Sequence, residues 1–282
     1  MLKVNDSRKN HAGGVRLSRK LSVSNIIWEK DKNNFNKFLV GLKKNNIDAV
    51  ELALNCLWDE PTVIKESDIN WLKKIIYEYE LEISALHALT YTRADLNFFR
   101  DKESFNDACS YLLKYVDIAD KLGVQHLVLG SPSLRVMHEK SYSDCQLLFH
   151  EFLDKFDNYS DSIFLNIEPL PENICEFINT ISEAADYADE YQLVNIQLDT
   201  RVLIEQGYKF VPEGNKYFHC QVGNPGMFLH EDAYDGNHLN YSKNLYDYNY
   251  SGYISAEVLC PRQYSSSQYL EMVSSKLKYL YG

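Results

Sequence analysis

Three acidic side chains each lie at the end of a short apolar run in the second half of the chain: Glu168, Asp199 and Glu257. If these carboxylates converge on one point, they repel each other unless protons or a cation neutralise them. A divalent cation does this without protonation. Oxygen-rich ligands with at most one imidazole favour Mn²⁺ or Mg²⁺ over zinc. The alternative is that each carboxylate forms its own ion pair near the rim of the fold.

Each of these acids shares a strand face with another polar residue. Side chains alternate along a strand, so residues two positions apart point the same way. The second predicted strand adds a further acid, Glu51, inside an apolar run. When polar residues occupy the same face at the ends of several strands, they indicate one shared site rather than scattered charges. The same-face pairs are Asn166 with Glu168, Gln197 with Asp199, His219 with Gln221, and Ser255 with Glu257.

The elements that position these residues alternate between two periods. Apolar runs predict strands, and apolar residues spaced three and four apart predict helices between them. Gly123 is placed to end one helix, and Thr180 with Glu183 forms a capping box that opens another. Strands that alternate with helices must be parallel, and eight such units favour a closed (β/α)8 TIM barrel, an α/β fold. The predicted strands are residues 21–28, 47–54, 81–87, 124–130, 162–168, 193–199, 216–221 and 251–258.

We expect residues 21–282 to form this barrel as a single domain, preceded by a flexible basic extension at residues 1–20. The extension is polar and contains six Lys and Arg residues. A secretory signal needs roughly 7 to 15 apolar residues after its basic part, and the extension contains no such run. No segment resembles a transmembrane span.

Composition limits the classes of partner. The net charge of −11 among 282 residues gives no electrostatic reason to bind nucleic acid or an anionic membrane. The six cysteines form no CxxC pair, which favours reduced thiols in a cytoplasmic protein. The 21 tyrosines fit either the surface of a homo-oligomer or a wall on which a sugar stacks.

Several short segments, taken in order, resemble the sugar phosphate isomerase/epimerase family of xylose-isomerase-like barrels. The resemblance covers roughly residues 21 to 260, and the common order of the segments carries it. The segments are SNIIW at 24–28, IDAVELAL at 47–54, LGSP at 129–132 with Arg135, IEP at 167–169, FINT at 177–180, LDT at 198–200 and GYISAE at 252–257.

The resemblance implies a divalent metal bound by Glu168, Asp199 and Glu257, together with a ligand from the seventh strand. The family often has His-x-His-x-x-Glu-Pro at that strand, whereas this chain has HCQVGNP at 219–225. Alignment on the proline places Gln221 at the ligand position, and a shifted alignment places His219 there. Many epimerases also carry a His at the position of Val202. These departures imply a weakly bound Mn²⁺ or Mg²⁺, or an altered or lost activity.

The leading hypothesis is therefore a metal-dependent isomerase or epimerase of a small sugar or sugar derivative. Glu168 and Glu257 are the expected acid and base for proton transfer next to a carbonyl, through an enediolate that the metal stabilises. For His87 and His238, the alternative is a hydrogen-bonded role near the rim of the barrel. The candidates for holding substrate oxygens are Glu51, His87, Ser131, Arg135, Asn224 and His238.

Three other functions remain open from the sequence. A non-catalytic sugar- or partner-binding barrel with a degenerate metal site is motivated by Gln221, Asn224 and Val202. A metal-dependent lyase or dehydratase acting on a polyol acid could use the same carboxylates. A metal-dependent endonuclease is disfavoured because the chain is acidic and has no basic stripe.

Overall fold

The computed structural model describes residues 19–28, 30, 32–214 and 216–282. Eight parallel strands close into a barrel in sequence order, with helices between them, which confirms the predicted (β/α)8 fold. The strands are β1 (Lys20–Ser24), β2 (Ala49–Leu52), β3 (Glu82–Leu86), β4 (His126–Leu129), β5 (Phe164–Ile167), β6 (Val194–Asp199), β7 (Tyr217–Val222) and β8 (Tyr253–Ala256). The helices are α1 (Phe35–Lys44), α2 (Glu66–Glu78), α3 (Lys102–Leu122), α4 (Tyr142–Tyr159), α5 (Ile181–Glu190), α6 (Thr200–Glu205), α7 (Asp235–Asp247) and α8 (Ser266–Tyr281).

The first strand differs from its prediction at both ends. β1 begins at Lys20, and the side chain of Arg19 donates to the hydroxyl and the backbone carbonyl of Ser242 on α7. The predicted strand continued to residue 28, but a 3-10 helix occupies Asn25–Ile27 because the hydroxyl of Ser24 accepts from the amide of Ile26 and caps it. Residues 1–18, most of the predicted extension, lie outside the described part.

The helix-end signals in the sequence are confirmed. Gly123 ends α3 with a φ of 74°, the left-handed conformation that favours glycine. At the start of α5, the Thr180 hydroxyl accepts from the amide of Glu183, and the Glu183 carboxylate accepts from the amide of Thr180. Apolar residues spaced three and four apart form the buried faces of α1 and α3; they comprise Phe35, Phe38, Leu39, Leu42, Phe105, Cys109, Leu112, Val116, Ala119 and Leu122.

The barrel interior is unusually polar for this fold. Interiors of such barrels are mainly filled by branched apolar side chains. Here the register places Asp199 of β6 beside Gln221 of β7, and Gln221 beside Ser255 of β8, so polar side chains form a continuous layer. The buried polar residues of the strands are Ser22, Ser24, Glu51, Ser84, Asn166, Asn195, Gln197, Asp199, His219, Gln221 and Ser255.

Two observations bear on the environment of the chain. All six cysteines are free thiols, and five of them are buried. Within the described ranges, none of the helices combines the length and the apolar character that crossing a membrane requires.

Candidate active site

A cavity of about 700 Å³ lies at the C-terminal ends of the strands. Residues that end or directly follow β3, β4, β5, β7 and β8 form its floor, and residues of the connecting loops form its walls. Catalytic residues of this fold come from the same end of the barrel. Of the residues predicted from the sequence, those that line the cavity are His87, Ser131, Glu168, Gln221 and Glu257.

Glu168 follows β5 and is almost completely buried. Gly130, after β4, packs against its carboxylate so closely that a Cβ at this glycine would collide with Oε2. Burial raises the pKa of Glu168 well above its ordinary value, and the negative charges of Asp199 and Glu257 raise it further. Of the three acids, Glu168 is therefore the one whose surroundings most favour the protonated form.

Asp199 ends β6 and caps α6. Its Oδ1 accepts from the amide of Arg201, 2.8 Å away, and its Oδ2 lies 2.7 Å from Nη2 of the same residue. The same Nη2 lies 3.4 Å from Oε1 of Glu168. Burial raises the pKa of Asp199, while the guanidinium opposes that rise. Asp199 thus forms an ion pair with Arg201, which is the alternative to a metal that the sequence left open.

Glu257 follows β8 and also has a cationic partner. Its Oε1 lies 3.2 Å from Nδ1 of His87, and Nε2 of that ring lies 2.6 Å from the hydroxyl of Ser24. Burial would raise the pKa of Glu257, but the hydrogen bond and charge of His87 and the charge of Arg201 lower it below its ordinary value. Burial would lower the pKa of His87, but the charges of Glu51 and Glu257 raise it. An ionised glutamate beside a protonated histidine is the favoured state.

A second polar layer lies beneath the cavity floor and is centred on Glu51. Its Oε1 accepts from Nε2 of Gln221 at 2.8 Å, and its Oε2 accepts from the hydroxyl of Ser255 at 2.6 Å. Burial raises the pKa of Glu51 to about 7. Gln197 donates to Oε1 of Gln221, so both ends of the Gln221 amide are occupied. His219 is fully buried, 3.9 Å from Glu51, and burial lowers its pKa well below the ordinary value.

This donor set does not fit the predicted divalent metal. A guanidinium rather than open space lies beside Glu168 and Asp199. Gln221 turns its amide toward Glu51 and Gln197. In the described part of the chain, no group of three or more His, Cys, Asp or Glu side chains is arranged to hold a metal ion. This arrangement does not support the metal roles predicted for Glu168, Asp199, Glu257, Gln221 and His219, because Arg201, His87 and the glutamine layer already contact the coordinating groups.

Four side chains expected to hold substrate oxygens do not reach the cavity. Arg135 is fully buried and donates to the backbone carbonyls of Gly130, Phe177 and Ile178, which joins the loops after β4 and β5. The three others are also buried and have partners within the fold. Oδ1 of Asn224 accepts from Nε2 of His238 at 2.8 Å, Nδ1 of His238 bonds the hydroxyl of Tyr281 at 2.8 Å, and Glu51 lies beneath the floor.

Other cavity residues were not identified from the sequence. Arg201 lines the cavity, as do Glu205 at the end of α6 and Lys30, whose ammonium lies 4.1 Å from the ring centroid of Tyr91. A signal for Arg201 was present: it is a cation two residues after a strand-end acid, in the first turn of a helix. The lone cation was overlooked because the family pattern directs attention to position 202.

The chain was compared with known proteins. The sequence model of a family described as xylose isomerase-like TIM barrel matches residues 41–276. No curated protein matches the chain significantly.

Solved structures that include two sugar epimerases have the same architecture. The D-psicose 3-epimerase of Clostridium cellulolyticum H10 with D-tagatose superposes with a TM-score of 0.70 at 13% identity, over 92% of this chain and 97% of the other. The 3-keto-D-glucoside 4-epimerase YcjR of E. coli gives 0.70 at 15% identity, over 93% and 100%. The IOLI protein with a bound zinc atom gives 0.68 at 17% identity, over 93% and 97%. At these identities the likeness shows a shared fold.

Proposed function

Because the chain belongs to the family of xylose isomerase-like TIM barrels, we propose that it is an isomerase or epimerase of a sugar or sugar derivative. The reaction is proton transfer at a carbon next to a carbonyl. The observation that carries the proposal is the contrast between two carboxyl groups on one cavity: Glu257 is paired with His87, whereas burial and the charges of Asp199 and Glu257 raise the pKa of Glu168. A pair of acids with opposite protonation states provides a general base and a general acid at the same pH.

The roles follow from these environments. Glu257, as the ionised partner, removes the proton, and the electron pair of the broken C–H bond moves toward the carbonyl oxygen to give an enediolate. Glu168, as the neutral partner, supplies a proton to the intermediate. The two residues follow β8 and β5, three strands apart around the barrel, so they approach the substrate from different walls. Return of a proton from the other wall inverts the carbon.

The shape of the cavity supports a substrate larger than a free monosaccharide. Its volume of about 700 Å³ is in the range that ligands of drug size occupy. Apolar side chains line the mouth, and three of them remain well exposed: Tyr91, Ile174 and Leu259. A sugar derivative with an apolar substituent, such as a glycoside with an apolar aglycone, would cover these side chains. The 3-keto-glucoside named for one of the similar structures has the glycoside and ketone in one molecule.

The same proposal includes a small-molecule substrate in the cytoplasm, without nucleic acid or membrane partners. The six free thiols and the net charge of −11 support it.

The test is product formation from a defined panel. Ketohexoses, 3-keto-glucosides and aryl 3-keto-glucosides are incubated with the protein, and new epimers are identified by NMR. We expect conversion of at least one keto-glycoside, with aryl glycosides preferred over free ketohexoses. Glu257→Gln and Glu168→Gln should each lose about 100-fold or more in kcat, the scale of one positioned acid or base.

Binding measurements distinguish catalysis from simple recognition. Both glutamine variants should still bind the converted compound, because the amide has nearly the shape of the carboxyl group it replaces. Tight binding by the native protein with no conversion of any compound would contradict the proposal and favour a non-catalytic sugar-binding barrel. Full activity in both variants would contradict the assignment of the acid and base.

A further inference from the structure

One guanidinium lies among the carboxyl groups at the centre of the site. Nη2 of Arg201 contacts Asp199 at 2.7 Å and Glu168 at 3.4 Å, and its charge lowers the pKa of Glu257. The side chain is only 16% exposed, and the exposed part faces the cavity. The negative charge of Asp199 raises the pKa of Arg201 further, so its charge is permanent.

The charges of the site balance without a metal. Arg201 contacts the carboxyl groups of both Asp199 and Glu168, and His87 contacts that of Glu257. Arg201 and His87 supply the positive charges, one beside each carboxylate. Two nearby positive charges are what converging carboxylates require for stability, and a divalent ion would supply the same amount. A bound divalent cation here would meet repulsion from the guanidinium.

Part of the guanidinium remains available to a ligand. Both ion-pair contacts use Nη2. Nη1 makes no hydrogen bond within the described part of the chain. It is also not one of the side-chain atoms that are fully buried without a partner. Because the side chain lines the cavity, Nη1 is the donor that a ligand oxygen can reach.

We propose that Arg201 replaces the divalent metal of this site and that its Nη1 donates to the substrate oxygen on which negative charge develops. The inference rests on the proposed proton transfer, and it adds the group that stabilises the negative oxygen of the intermediate. When Glu257 takes the proton from carbon, the electron pair forms the carbon–carbon double bond of the enediolate, and the former carbonyl oxygen becomes negative. Arg201 stabilises that oxygen. When Glu168 returns a proton to carbon, the electron pair goes back to the new C–H bond and the carbonyl forms again.

Metal binding provides a test that does not depend on turnover. Native protein, Arg201→Ala and Arg201→Lys are freed of metal with a chelator and titrated with Mn²⁺ by calorimetry and thermal unfolding. We expect no stoichiometric binding to the native protein or to Arg201→Lys at micromolar Mn²⁺. Arg201→Ala should bind Mn²⁺ at least tenfold more tightly, because Asp199 and Glu168 then lack the guanidinium that contacts them. Arg93→Ala, which removes a guanidinium from an ion pair with Asp95 at the surface, should behave like the native protein.

Activity provides the second test. Epimer formation by the native protein should be unaffected by chelator, and metal-free Arg201→Ala should lose about 100-fold or more in kcat. Stoichiometric Mn²⁺ binding by the native protein, activity that chelator abolishes, or full activity of metal-free Arg201→Ala would each overturn the inference while leaving the epimerase proposal intact. If Mn²⁺ binding follows the expected pattern but no panel compound reacts, the proposed function fails, and only the exchange of metal for guanidinium stands.

Discussion

A single imidazole ring joins a carboxylate at the end of β8 to a hydroxyl at the end of β1. Nδ1 of His87 lies 3.2 Å from Oε1 of Glu257, and its Nε2 lies 2.6 Å from Oγ of Ser24. The imidazole is buried, and a charged hydrogen bond is stronger there than at the surface. His87, for which a contact with a substrate oxygen stays a prediction, lowers the pKa of Glu257 through this contact.

Replacing His87 with Asn should move the acid limb of the pH profile. The hydrogen bond and charge of His87 hold the pKa of Glu257 below its ordinary value against the effect of burial. Without them the pKa rises, so Glu257 is protonated, and inactive as a base, at a higher pH than in the native protein. The rate of epimer formation between pH 4 and 8 is the measurement. Ser24→Ala keeps the imidazole and serves as the control; identical acid limbs in both variants would refute the role of His87.

Glu51→Gln should stabilise the protein at alkaline pH. The pKa of Glu51 is raised from 4.5 to about 7, so the folded state retains a proton that the unfolded chain releases. Stability therefore falls as the pH rises from 4.5 to 7, and the difference amounts to about 3 kcal/mol at pH 8. Glutamine carries no such proton. We expect a higher melting temperature than native at pH 8 and little difference at pH 4.5, with the exposed Glu271→Gln unchanged at both. An equal effect at the two pH values would contradict the assignment.

Gly130→Ala should impair catalysis without unfolding the barrel. A Cβ at this position would collide with Oε2 of Glu168 and displace the carboxyl group. A misplacement of about 1 Å in an acid or base costs on the order of 100-fold in rate. The measurement is kcat together with the melting temperature. Gly236→Ala is the matched control, because a Cβ there has no neighbour within 4 Å; equal kcat values for the two variants would count against the position of Glu168.

Arg135→Met should destabilise the fold. The guanidinium donates to the carbonyls of Gly130, Phe177 and Ile178, and methionine would leave these buried acceptors without a donor. We expect a loss of about 3 kcal/mol or more in the free energy of unfolding by urea. The surface variant Arg93→Met should lose less than about 1 kcal/mol. If Arg135→Met were as stable as the native protein and instead bound substrate poorly, the sequence-based role in substrate binding would be correct.

The sequence predicted the barrel well because its signals are local. Apolar periodicity, the αL glycine at Gly123 and the capping box at Thr180 depend on neighbours within one element. The end of β1 was misplaced because the apolar residues Ile26 and Ile27 continue the strand-like run. In the structure the amide of Ile26 donates to the hydroxyl of Ser24, which caps a 3-10 helix at this point. Only the geometry of that bond distinguishes the two conformations.

The site was predicted in part, for a physical reason. Strand parity correctly directs Glu168, Gln221 and Glu257 to one cavity. The cation beside Glu168 and Asp199 is Arg201, a side chain of the helix that follows β6. The alternation of side chains along a strand cannot predict a contact from a helix. The partners of Arg135 and His238 are likewise distant in sequence: the first lies 42 residues from Phe177, and the second lies 43 residues from Tyr281.

The most direct test of the account is the origin of the hydrogen at the inverted carbon. The chelator-treated native protein converts a reactive keto-glycoside in D2O, and the product is analysed by NMR and mass spectrometry. Removal of the substrate proton by Glu257 and return of a solvent-exchanged one by Glu168 predict one deuterium at the inverted carbon of each product molecule. The compound recovered from Glu257→Gln should contain none. A product that retains the original hydrogen, or deuterium incorporation that is undiminished in Glu257→Gln, would contradict the account.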